Sequence, residues 1–219
     1  MARAQAVVLV SGGLDSCVAA ALAVSQGEAA FLHLNYRQRT ERRELEAFAA
    51  IADHYRVGRR LVVDVSYLRD IGGSSLIDPA LPVPEGDTEG VPSTYVPFRN
   101  ANLLGIGVAW AEVLGAGQVY IGAHEEESQY PDCRAPFIAA YNRMIAEGIK
   151  PGLPIRVQTP LIELDKGAIV RRGLQLQAPL HLTWSCYQRE DLACGRCHSC
   201  QLRLRGFAQA GVADPIPYC

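Results

Sequence analysis

The sequence has no long apolar run, no excess of basic charge and few aromatic residues, which make up 7% of the chain. A membrane-spanning helix needs about 20 predominantly apolar residues in succession, and no segment approaches that length. The N-terminal MARAQ is not followed by the long apolar segment and cleavage site of a secretory leader. We therefore expect a cytoplasmic protein without membrane contacts.

The charge balance also limits the possible partners. The 21 Lys and Arg residues are offset by 23 Asp and Glu residues, which gives a formal net charge of −2. Sequence-independent binding to nucleic acid normally requires a strongly basic surface, so we expect no stable nucleic-acid partner. The composition, 49% hydrophobic and 20% charged in 219 residues without internal repeats, is typical of one globular domain, 1–219.

Apolar runs separated by helix-length segments predict the fold class. Buried strands are expected at residues 6–10, 29–36, 60–67, 118–124 and 156–162. Helices with one apolar face are expected at residues 16–26, 40–56, 100–115 and 165–177. This alternation predicts an α/β fold with a doubly wound, mostly parallel sheet, Rossmann-like, with helices on both faces. Ligands of such sheets bind beyond the carboxyl ends of the strands.

One long segment breaks this alternation. Residues 70–98 are rich in Pro, Gly and Ser and show no periodicity. Loops longer than about 12–15 residues are usually functional lids or flexible linkers. Since the sequence passes from YVPFRN directly into a predicted helix, we interpret the segment as a lid of the core, 6–180, and not as a domain boundary.

The stretch SGGLDS, residues 11–16, follows the first predicted strand and begins the first helix. Two glycines allow the backbone to approach a ligand closely, and the free amides of a helix start form an anion site. As an alternative, the glycines only permit a tight turn and Asp15 or Ser16 caps the helix. A Walker A loop is excluded, because no Lys follows the glycines.

This stretch resembles the pyrophosphate loop (PP-loop) of the ATP pyrophosphatases, which cleave ATP between the α- and β-phosphates. The resemblance implies that the loop holds the pyrophosphate of ATP. Mg²⁺ or a cationic side chain would then lie between the phosphates and Asp15. The implied nucleotide-binding residues are Ser11, Gly12, Gly13, Leu14, Asp15 and Ser16.

Four of the seven cysteines crowd into one short segment near the C-terminus. Cys186, Cys194, Cys197 and Cys200 have the spacing C-x7-C-x2-C-x2-C. Four thiolates in one loop suit a closed tetrahedral Zn²⁺ site, although four cysteines also hold iron–sulfur clusters. A site without an open coordination position is structural. We expect a zinc-binding C-terminal region, 181–219, in which His198 is a solvated loop residue and not a ligand.

Further strings narrow the resemblance. Residues 94–104, 122–142 and 159–187, followed by CGRCHSC, are similar to the 7-cyano-7-deazaguanine synthase family of queuosine biosynthesis, over residues 6–218. That family converts 7-carboxy-7-deazaguanine, ammonia and two ATP into a nitrile, through an adenylated carboxylate and an adenylated amide. The resemblance implies a carbon–nitrogen ligase, a homodimer and small-molecule substrates. The chain contains no recognisable glutaminase domain, which favours free ammonia as the nitrogen donor.

The resemblance also implies residue roles. Arg99 would hold phosphate or the substrate carboxylate through its guanidinium, and Lys166 would neutralise charge on the phosphates beside Asp15. In both cases the alternative is a solvated residue at a helix start. The deazaguanine would be bound by Arg99, Tyr130, Asp132 and Arg134.

Two assignments in this part of the chain stay open. Asp132 is about equally well explained as an acceptor for the guanine-like edge of the substrate and as a helix N-cap. His124 and the acidic residues 125–127 supply a base, bind Mg²⁺ or form a solvated face.

Three rival functions remain at this point. A tRNA thiolase or related PP-loop ligase would carry sulfur on Cys17 or Cys133, and would need a basic tRNA surface that the charge balance does not suggest. An RNA-binding zinc knuckle would leave the predicted nucleotide fold unexplained. A specialised homologue would apply the same deazaguanine chemistry to another target.

Overall fold

The computed structural model describes residues 5–86, 90–125 and 129–219, which form a five-stranded, all-parallel sheet. The strand order is β3-β2-β1-β4-β5. The strands are β1 Ala6–Leu9, β2 Ala29–Asn35, β3 Arg60–Asp64, β4 Gln118–Tyr120 and β5 Arg156–Gln158. This arrangement confirms the predicted parallel α/β class.

The central strand alternates its side chains between two apolar layers. Val7 and Leu9 pack on one face, whereas Val8 and Val10 pack on the other. Both faces are covered because successive side chains of a strand point in opposite directions. This explains why β1 is a continuous apolar run and not an alternating one.

Seven α-helices are present in the described residues. They are α1 Leu14–Gln26, α2 Glu41–His54, α3 Tyr67–Ile71, α4 Arg99–Leu114, α5 Ala135–Gly148, α6 Lys166–Gln175 and α7 His198–Gln209. Four of them, α1, α2, α4 and α6, agree with the predicted segments, and helices on both faces of the sheet are confirmed. The pattern analysis did not name α3, α5 or α7.

The fourth and fifth strands are shorter than predicted. Each has three residues, and the chain beyond them leaves the sheet. Residues 121–124 therefore lie past the carboxyl end of β4, where side chains face a ligand site. Their apolar composition reflects contact with the core and not participation in the sheet.

The segment interpreted as a lid is anchored to the rest of the molecule at several points. Ser74, Ser75 and Thr94 are fully buried. The Arg39 guanidinium donates to the carbonyl oxygens of Ser75 and Leu81, at 2.7 and 2.6 Å. Residues 87–89 of this segment lie outside the described residues. The lid remains a prediction.

None of the helices in the described ranges combines the length and the apolar character that a membrane crossing requires.

Candidate functional site

The candidate site lies where the order of the strands reverses. β1 is followed in the chain by its neighbour β2, whereas its other neighbour, β4, comes much later. Crevices at such a reversal bind ligands in open parallel sheets. The SGGLDS loop forms one wall of the crevice, and residues 121–124 after β4 form the opposite wall. The two walls touch at Gly122, where an added Cβ would lie 2.7 Å from the backbone of Asp15 and Ser16.

The conformation of the SGGLDS loop is stabilised by hydrogen bonds of its own serine side chains. Ser11 Oγ donates to Ser16 Oγ at 3.1 Å, and Ser16 Oγ donates to the Gly13 carbonyl at 3.0 Å. Gly12 has a φ of +91° and lies too close to the Glu44 carbonyl for a side chain. Gly13 is the N-cap of α1, and no side chain of the described residues caps this helix. The capping alternative for Asp15 and Ser16 is therefore wrong, and the first amides of α1 remain available to an anion.

Asp15 turns to two residues that come from other parts of the fold. Lys166 Nζ donates to both carboxylate oxygens of Asp15, each at 2.8 Å. Lys166 Nζ also lies 3.1 Å from His124 Nε2, which is 3.5 Å from Asp15 Oδ2. Lys166 is 5% exposed although it begins α6. The alternative that it is a solvated helix-start residue is therefore wrong.

This arrangement keeps Asp15 ionised. Burial raises the pKa of the Asp15 carboxyl, but the charge of Lys166, and that of His124 when it is protonated, outweighs burial and holds the pKa well below its ordinary value. A carboxylate beside a phosphate site is otherwise repulsive. The salt bridge neutralises Asp15 and holds the Lys166 ammonium next to the loop.

Arg99 is surrounded by aromatic rings at the other end of the site. It begins α4, directly after Phe98, whose left-handed backbone has a φ of 54°. Its guanidinium donates to the Tyr36 hydroxyl at 3.0 Å and lies 5.5 and 6.0 Å from the rings of Tyr36 and Tyr130. Burial raises the pKa of Tyr36 to about 12, so its hydroxyl is neutral at pH 7. The charge of Arg99 also acts on the carboxyls of Glu44 and Asp132, where it opposes the rise in pKa that burial causes, and the same charge attracts an anionic ligand group.

Asp132 is buried and bound to protein. Its Oδ2 accepts from the Asn100 backbone amide at 2.8 Å, and its Oδ1 accepts from Asn100 Nδ2 at 3.3 Å. Burial raises the pKa of Asp132, and the Asn100 hydrogen bond opposes this shift. Asp132 therefore satisfies an amide at the start of α4. It is not the N-cap of its own helix, because that position in α5 is held by Arg134.

Glu125 and Arg134 lie at the entrance of α5. Glu125 Oε2 accepts from the Ala135 amide at 3.2 Å, as a carboxylate at a helix start commonly does. Arg134 is exposed and does not line the cavity at the site. The acidic residues at 126 and 127, considered above as a base or as Mg²⁺ ligands, lie outside the described residues.

The SGGLDS loop, Lys166 and Arg99 line one cavity of about 260 Å³. Its lining includes loop residues Ser11, Gly13, Leu14, Asp15 and Ser16, the basic residues Lys166 and Arg99, and Tyr130. Asp132 and Arg134 are not part of the lining. The structure thus brings the predicted nucleotide loop and two predicted cations together, and leaves two predicted substrate residues outside.

The cavity is also lined by residues that the sequence analysis missed, notably Tyr36, Glu44, Asn100 and Tyr187. Glu44 accepts hydrogen bonds from Thr40 Oγ1 at 2.8 Å and Gln38 Nε2 at 3.0 Å. Burial raises its pKa to about 7, so the carboxyl changes charge near neutral pH. Tyr36 could have been predicted from its position, because it directly follows the carboxyl end of β2, where parallel sheets bind their ligands.

Two cysteines bear on the thiolase alternative. Cys17 lies fully buried in α1, and burial raises the pKa of its thiol to about 12. Such a thiol is not a nucleophile at neutral pH. Cys133 lines the cavity, where its Sγ accepts from Asn100 Nδ2 at 3.1 Å. The structure therefore removes Cys17 from the candidates for a sulfur carrier.

The four C-terminal cysteines form a group that fits a metal ion. All four are buried, and their Sγ atoms lie within 4.8 Å of one another. Cys194 and Cys200 Sγ are 3.9 Å apart, close to the roughly 3.8 Å edge of a tetrahedron with Zn–S of about 2.3 Å. Cys186 Sγ faces the amides of Gln188, Arg189 and Cys194, each at 3.4 Å. Such amides stabilise thiolates, so the donor set fits Zn²⁺.

His198 differs from the expectation of a solvated loop residue. It begins α7, is half-buried, and places Nδ1 3.1 Å from the Gly86 carbonyl. The adjacent Cys197 pairs with Glu85 in an isolated bridge. The cysteine group and the segment 70–98 are therefore in direct contact, and α7, which begins within the cysteine group, packs against α6.

The fold and the loop define the class of protein. A parallel sheet with SGGLDS at the carboxyl end of its first strand is the arrangement of a PP-loop nucleotide-binding protein. The family model described as "Queuosine biosynthesis protein QueC" matches residues 5–211, and the chain belongs to this family.

Curated relatives match almost the whole chain. A 7-cyano-7-deazaguanine synthase of Chlorobium phaeobacteroides (strain DSM 266) is 55% identical over 98% of this chain and 96% of its own length. Those of Chlorobaculum parvum and Chlorobaculum tepidum are each 53% identical with the same coverage.

Two solved structures are more distant. An NMN synthetase from Francisella tularensis is 17% identical at a TM-score of 0.49, covering 82% of this chain and 64% of its own. An NH3-dependent NAD synthetase from Campylobacter jejuni is 12% identical at a TM-score of 0.48, covering 83% and 68%.

Proposed function

We propose that the protein is an ATP-dependent carbon–nitrogen ligase that converts 7-carboxy-7-deazaguanine and ammonia into 7-cyano-7-deazaguanine. The family and the names of the curated relatives support this activity. The observation that carries it is the single cavity in which the SGGLDS loop and Lys166 face Arg99 and Tyr130. One end suits phosphate and the other suits a flat anionic ring system.

The reaction requires the same chemistry twice, which one cavity can serve. A carboxylate oxygen attacks the α-phosphorus of ATP and pyrophosphate leaves. Ammonia then displaces AMP and yields the amide. The amide oxygen attacks the α-phosphorus of a second ATP and a second pyrophosphate leaves. Loss of AMP from the adenylated amide, together with both N–H protons, then leaves the nitrile.

Several residues have roles in this scheme. The amides of the loop and the hydroxyls of Ser11 and Ser16 bind the pyrophosphate portion of ATP. Lys166, held by Asp15, balances the charge that pyrophosphate gains as it leaves. Arg99 binds the substrate carboxylate before adenylation.

The flat ring of the substrate lies between the aromatic side chains around Arg99. Tyr130 contributes one face, and its hydroxyl is held 2.8 Å from Thr94 Oγ1. Asp132 acts indirectly, because it fixes Asn100 and the start of α4. This role replaces the direct contact that the sequence suggested for Asp132, and we assign no substrate contact to the exposed Arg134.

Two metals and a quaternary state complete the proposal. Zn²⁺ at Cys186, Cys194, Cys197 and Cys200 is structural and joins α7 to the segment around Glu85. Mg²⁺ accompanies ATP and supplies charge neutralisation on its phosphates. The family resemblance alone supports a homodimer, whereas the cytoplasmic location and the use of free ammonia are proposed from the sequence.

The test is an assay of the purified protein with 7-carboxy-7-deazaguanine, ammonium, Mg²⁺ and ATP, with products identified by mass. We expect about two AMP for each nitrile. Ser11→Ala should lose most of the activity. Ser25→Ala is the matched control, because Ser25 lies in the last turn of α1, the helix that follows the loop, and its hydroxyl donates to the Leu22 carbonyl, at 2.7 Å. ATP cleavage without nitrile, or equal effects of both variants, would contradict the proposal.

A further inference from the structure

Glu44 lines the cavity and has no role yet in the proposed reaction. Its helix, α2, lies beside the SGGLDS loop, since the Glu44 carbonyl would be 2.6 Å from a Cβ added at Gly12. Its carboxyl group interacts electrostatically with the guanidinium of Arg99, at the other end of the cavity. Glu44 therefore lies between the end that suits phosphate and the end that suits the substrate.

Two buried side chains hold the Glu44 carboxylate. Thr40 Oγ1 donates to its Oε1 at 2.8 Å, and Gln38 Nε2 donates to its Oε2 at 3.0 Å. Thr40 is 2% exposed and Gln38 is 5% exposed, and the Tyr36 amide fixes Gln38 by donating to its Oε1 at 3.0 Å. A carboxylate has about four acceptor positions, so each oxygen of Glu44 keeps one for a ligand.

The same contacts tolerate a protonated carboxyl group. A hydroxyl accepts as well as it donates, so the Thr40 hydroxyl can turn to accept from a neutral Glu44. Burial raises the pKa of Glu44 to about 7, against the hydrogen bonds that hold it and the charge of Arg99 in α4, whereas Glu41 in α2 adds to the rise. Tyr36, after β2, also interacts with the carboxylate and is neutral. Glu44 therefore gains or loses a proton near neutral pH.

The other titratable groups of the described lining are engaged elsewhere. Asp15 accepts twice from Lys166, whose charge holds the pKa of this carboxyl well below its ordinary value although burial raises it. His124 turns Nε2 to Lys166 and Asp15, at the phosphate end. His198 places Nδ1 3.1 Å from the Gly86 carbonyl. Of the two carboxyl groups in this lining, only that of α2 is held by neutral donors.

The reaction needs a proton acceptor at the carbon that receives ammonia. Ammonia attacks the carbonyl carbon of the acyl adenylate, a C–N bond forms, and the C–O bond to AMP breaks with its electron pair on AMP. One N–H proton must leave for the amide to be neutral. The reacting carbon lies between the phosphates at the SGGLDS loop and the guanidinium of Arg99, which is the part of the cavity where Glu44 lies.

We propose that the Glu44 carboxylate accepts the proton that the attacking ammonia loses as it displaces AMP. This inference rests on the proposed function, because it requires an acyl adenylate in the cavity. The side chain is partly exposed, so the neutral carboxyl can return its proton to solvent. The regenerated carboxylate then accepts an N–H proton of the adenylated amide in the second half of the reaction.

Glu44→Gln is the informative variant. Gln has the same size, its oxygen still accepts from Gln38, and its amide nitrogen donates to the Thr40 hydroxyl, but it cannot take up a proton. Glu46→Gln is the matched control, because Glu46 lies in the same helix, pairs with Arg42 and has a side chain that is 49% exposed.

The two half-reactions are measured separately on the zinc-loaded protein. Exchange of labelled pyrophosphate into ATP, with 7-carboxy-7-deazaguanine and Mg²⁺ but no ammonia, reports adenylation, which releases no proton. We expect Glu44→Gln to keep an exchange rate close to that of the wild type. Its kcat/KM for ammonia should fall by roughly 100- to 10,000-fold, the usual contribution of a general base.

Hydroxylamine in place of ammonia gives a further readout that a structural role would not move. Its nitrogen is more acidic after attack and needs less help from a base, so hydroxamate formation by Glu44→Gln should be much closer to that of the wild type. If exchange, ammonia transfer and hydroxamate formation all fall together, Glu44 binds substrate and the inference is wrong. It is also wrong if Glu44→Gln transfers ammonia as fast as Glu46→Gln.

The pH profile tests the same proton. The kcat/KM of the wild type, calculated for free NH3, should rise with pH and level off above about 7, because Glu44 must be ionised to accept. Glu44→Gln should lack this rise, and a variant that keeps it overturns the inference. A wild type that makes nitrile beside a Glu44→Gln variant with normal ammonia transfer refutes the inference alone. A wild type that exchanges no pyrophosphate refutes the proposed function and the inference with it.

Discussion

Replacement of Lys166 by Met is the sharpest test of the charge arrangement at the site. Met has a similar length and retains the contacts of the aliphatic stem, but it removes the ammonium that donates to both oxygens of Asp15. The remaining carboxylate is three-quarters buried, with 25% of its side chain exposed. His124 Nε2 is 3.5 Å from Asp15 Oδ2 and does not replace the lost charge of Lys166.

The expected cost follows from this loss of a partner. Removing one member of a buried ion pair typically costs about 3–5 kcal/mol of unfolding free energy, because the other charge is left uncompensated. The partial exposure of Asp15 favours the lower end, about 3 kcal/mol. Adding Asp15→Asn should recover much of this loss, since the double variant buries no unpaired charge.

Urea unfolding of the zinc-loaded protein without nucleotide, followed by circular dichroism, measures these differences. Arg42→Met is the matched control. Arg42 pairs with Glu46 and Glu190, but its side chain is 64% exposed, and such solvent-screened surface pairs contribute little to stability. If Lys166→Met costs no more than Arg42→Met, or if Asp15→Asn fails to restore stability, the buried pair is not as described.

The same pair predicts a pH dependence. The pKa of Asp15 is held below its ordinary value, so the unfolded chain binds a proton more readily than the folded one. The stabilisation is therefore present above the ordinary pKa of Asp and is lost as the pH falls through the folded pKa. The contribution of the pair to the free energy of unfolding of the wild type should therefore begin to fall below about pH 4. The double variant has no pair, so its unfolding free energy should not show this fall.

Three further outcomes are expected. Cys197→Ser or a strong chelator should lower the thermal midpoint, and a loss of only about 3 kcal/mol would shift it by about 6–12 °C; an unchanged midpoint would show that the cysteines bind no stabilising metal. Glu44→Gln should gain stability over the wild type as the pH rises from 5 to 8. Because the pKa of Glu44 is raised to about 7, its contribution to stability is present below the pKa of Glu in the unfolded chain and is lost as the pH rises through about 7. If the difference in thermal midpoint between Glu44→Gln and the wild type is the same at pH 5 and pH 8, this prediction is wrong. Gly12→Ala should cost about 1–3 kcal/mol and weaken ATP binding, because φ is +91° and the new Cβ would lie 2.6 Å from the Glu44 carbonyl; calorimetric binding equal to the wild type would exclude the strained turn.

Features with a short range along the chain were predictable. The SGGLDS loop needs two glycines and a helix start within six residues, and the cysteine group needs three short spacings. The strand β1 was recognised because it is a continuous apolar run, and β2 because His33 is the one polar residue before Asn35. The end of β4 was missed because Ile121 and Ala123 remain apolar and buried after the strand, and that of β5 because Leu161 does.

Roles that depend on contacts between distant residues were predicted less well. The sequence offered two uses for Asp132, as a substrate acceptor and as the cap of the next helix. The structure shows another one, because the carboxylate binds Asn100 at the start of α4. Glu44 and Tyr36 carried no motif, and their place in the cavity depends on how α2 and β2 meet the loop.

Residue type and local spacing were enough to predict the parallel α/β class, a glycine loop suited to an anion and a group of four cysteines that could hold a metal ion. Which charges meet depends on the fold. Lys166 and Asp15 are 151 positions apart, and their contact exists because α6 begins beside the loop after β1.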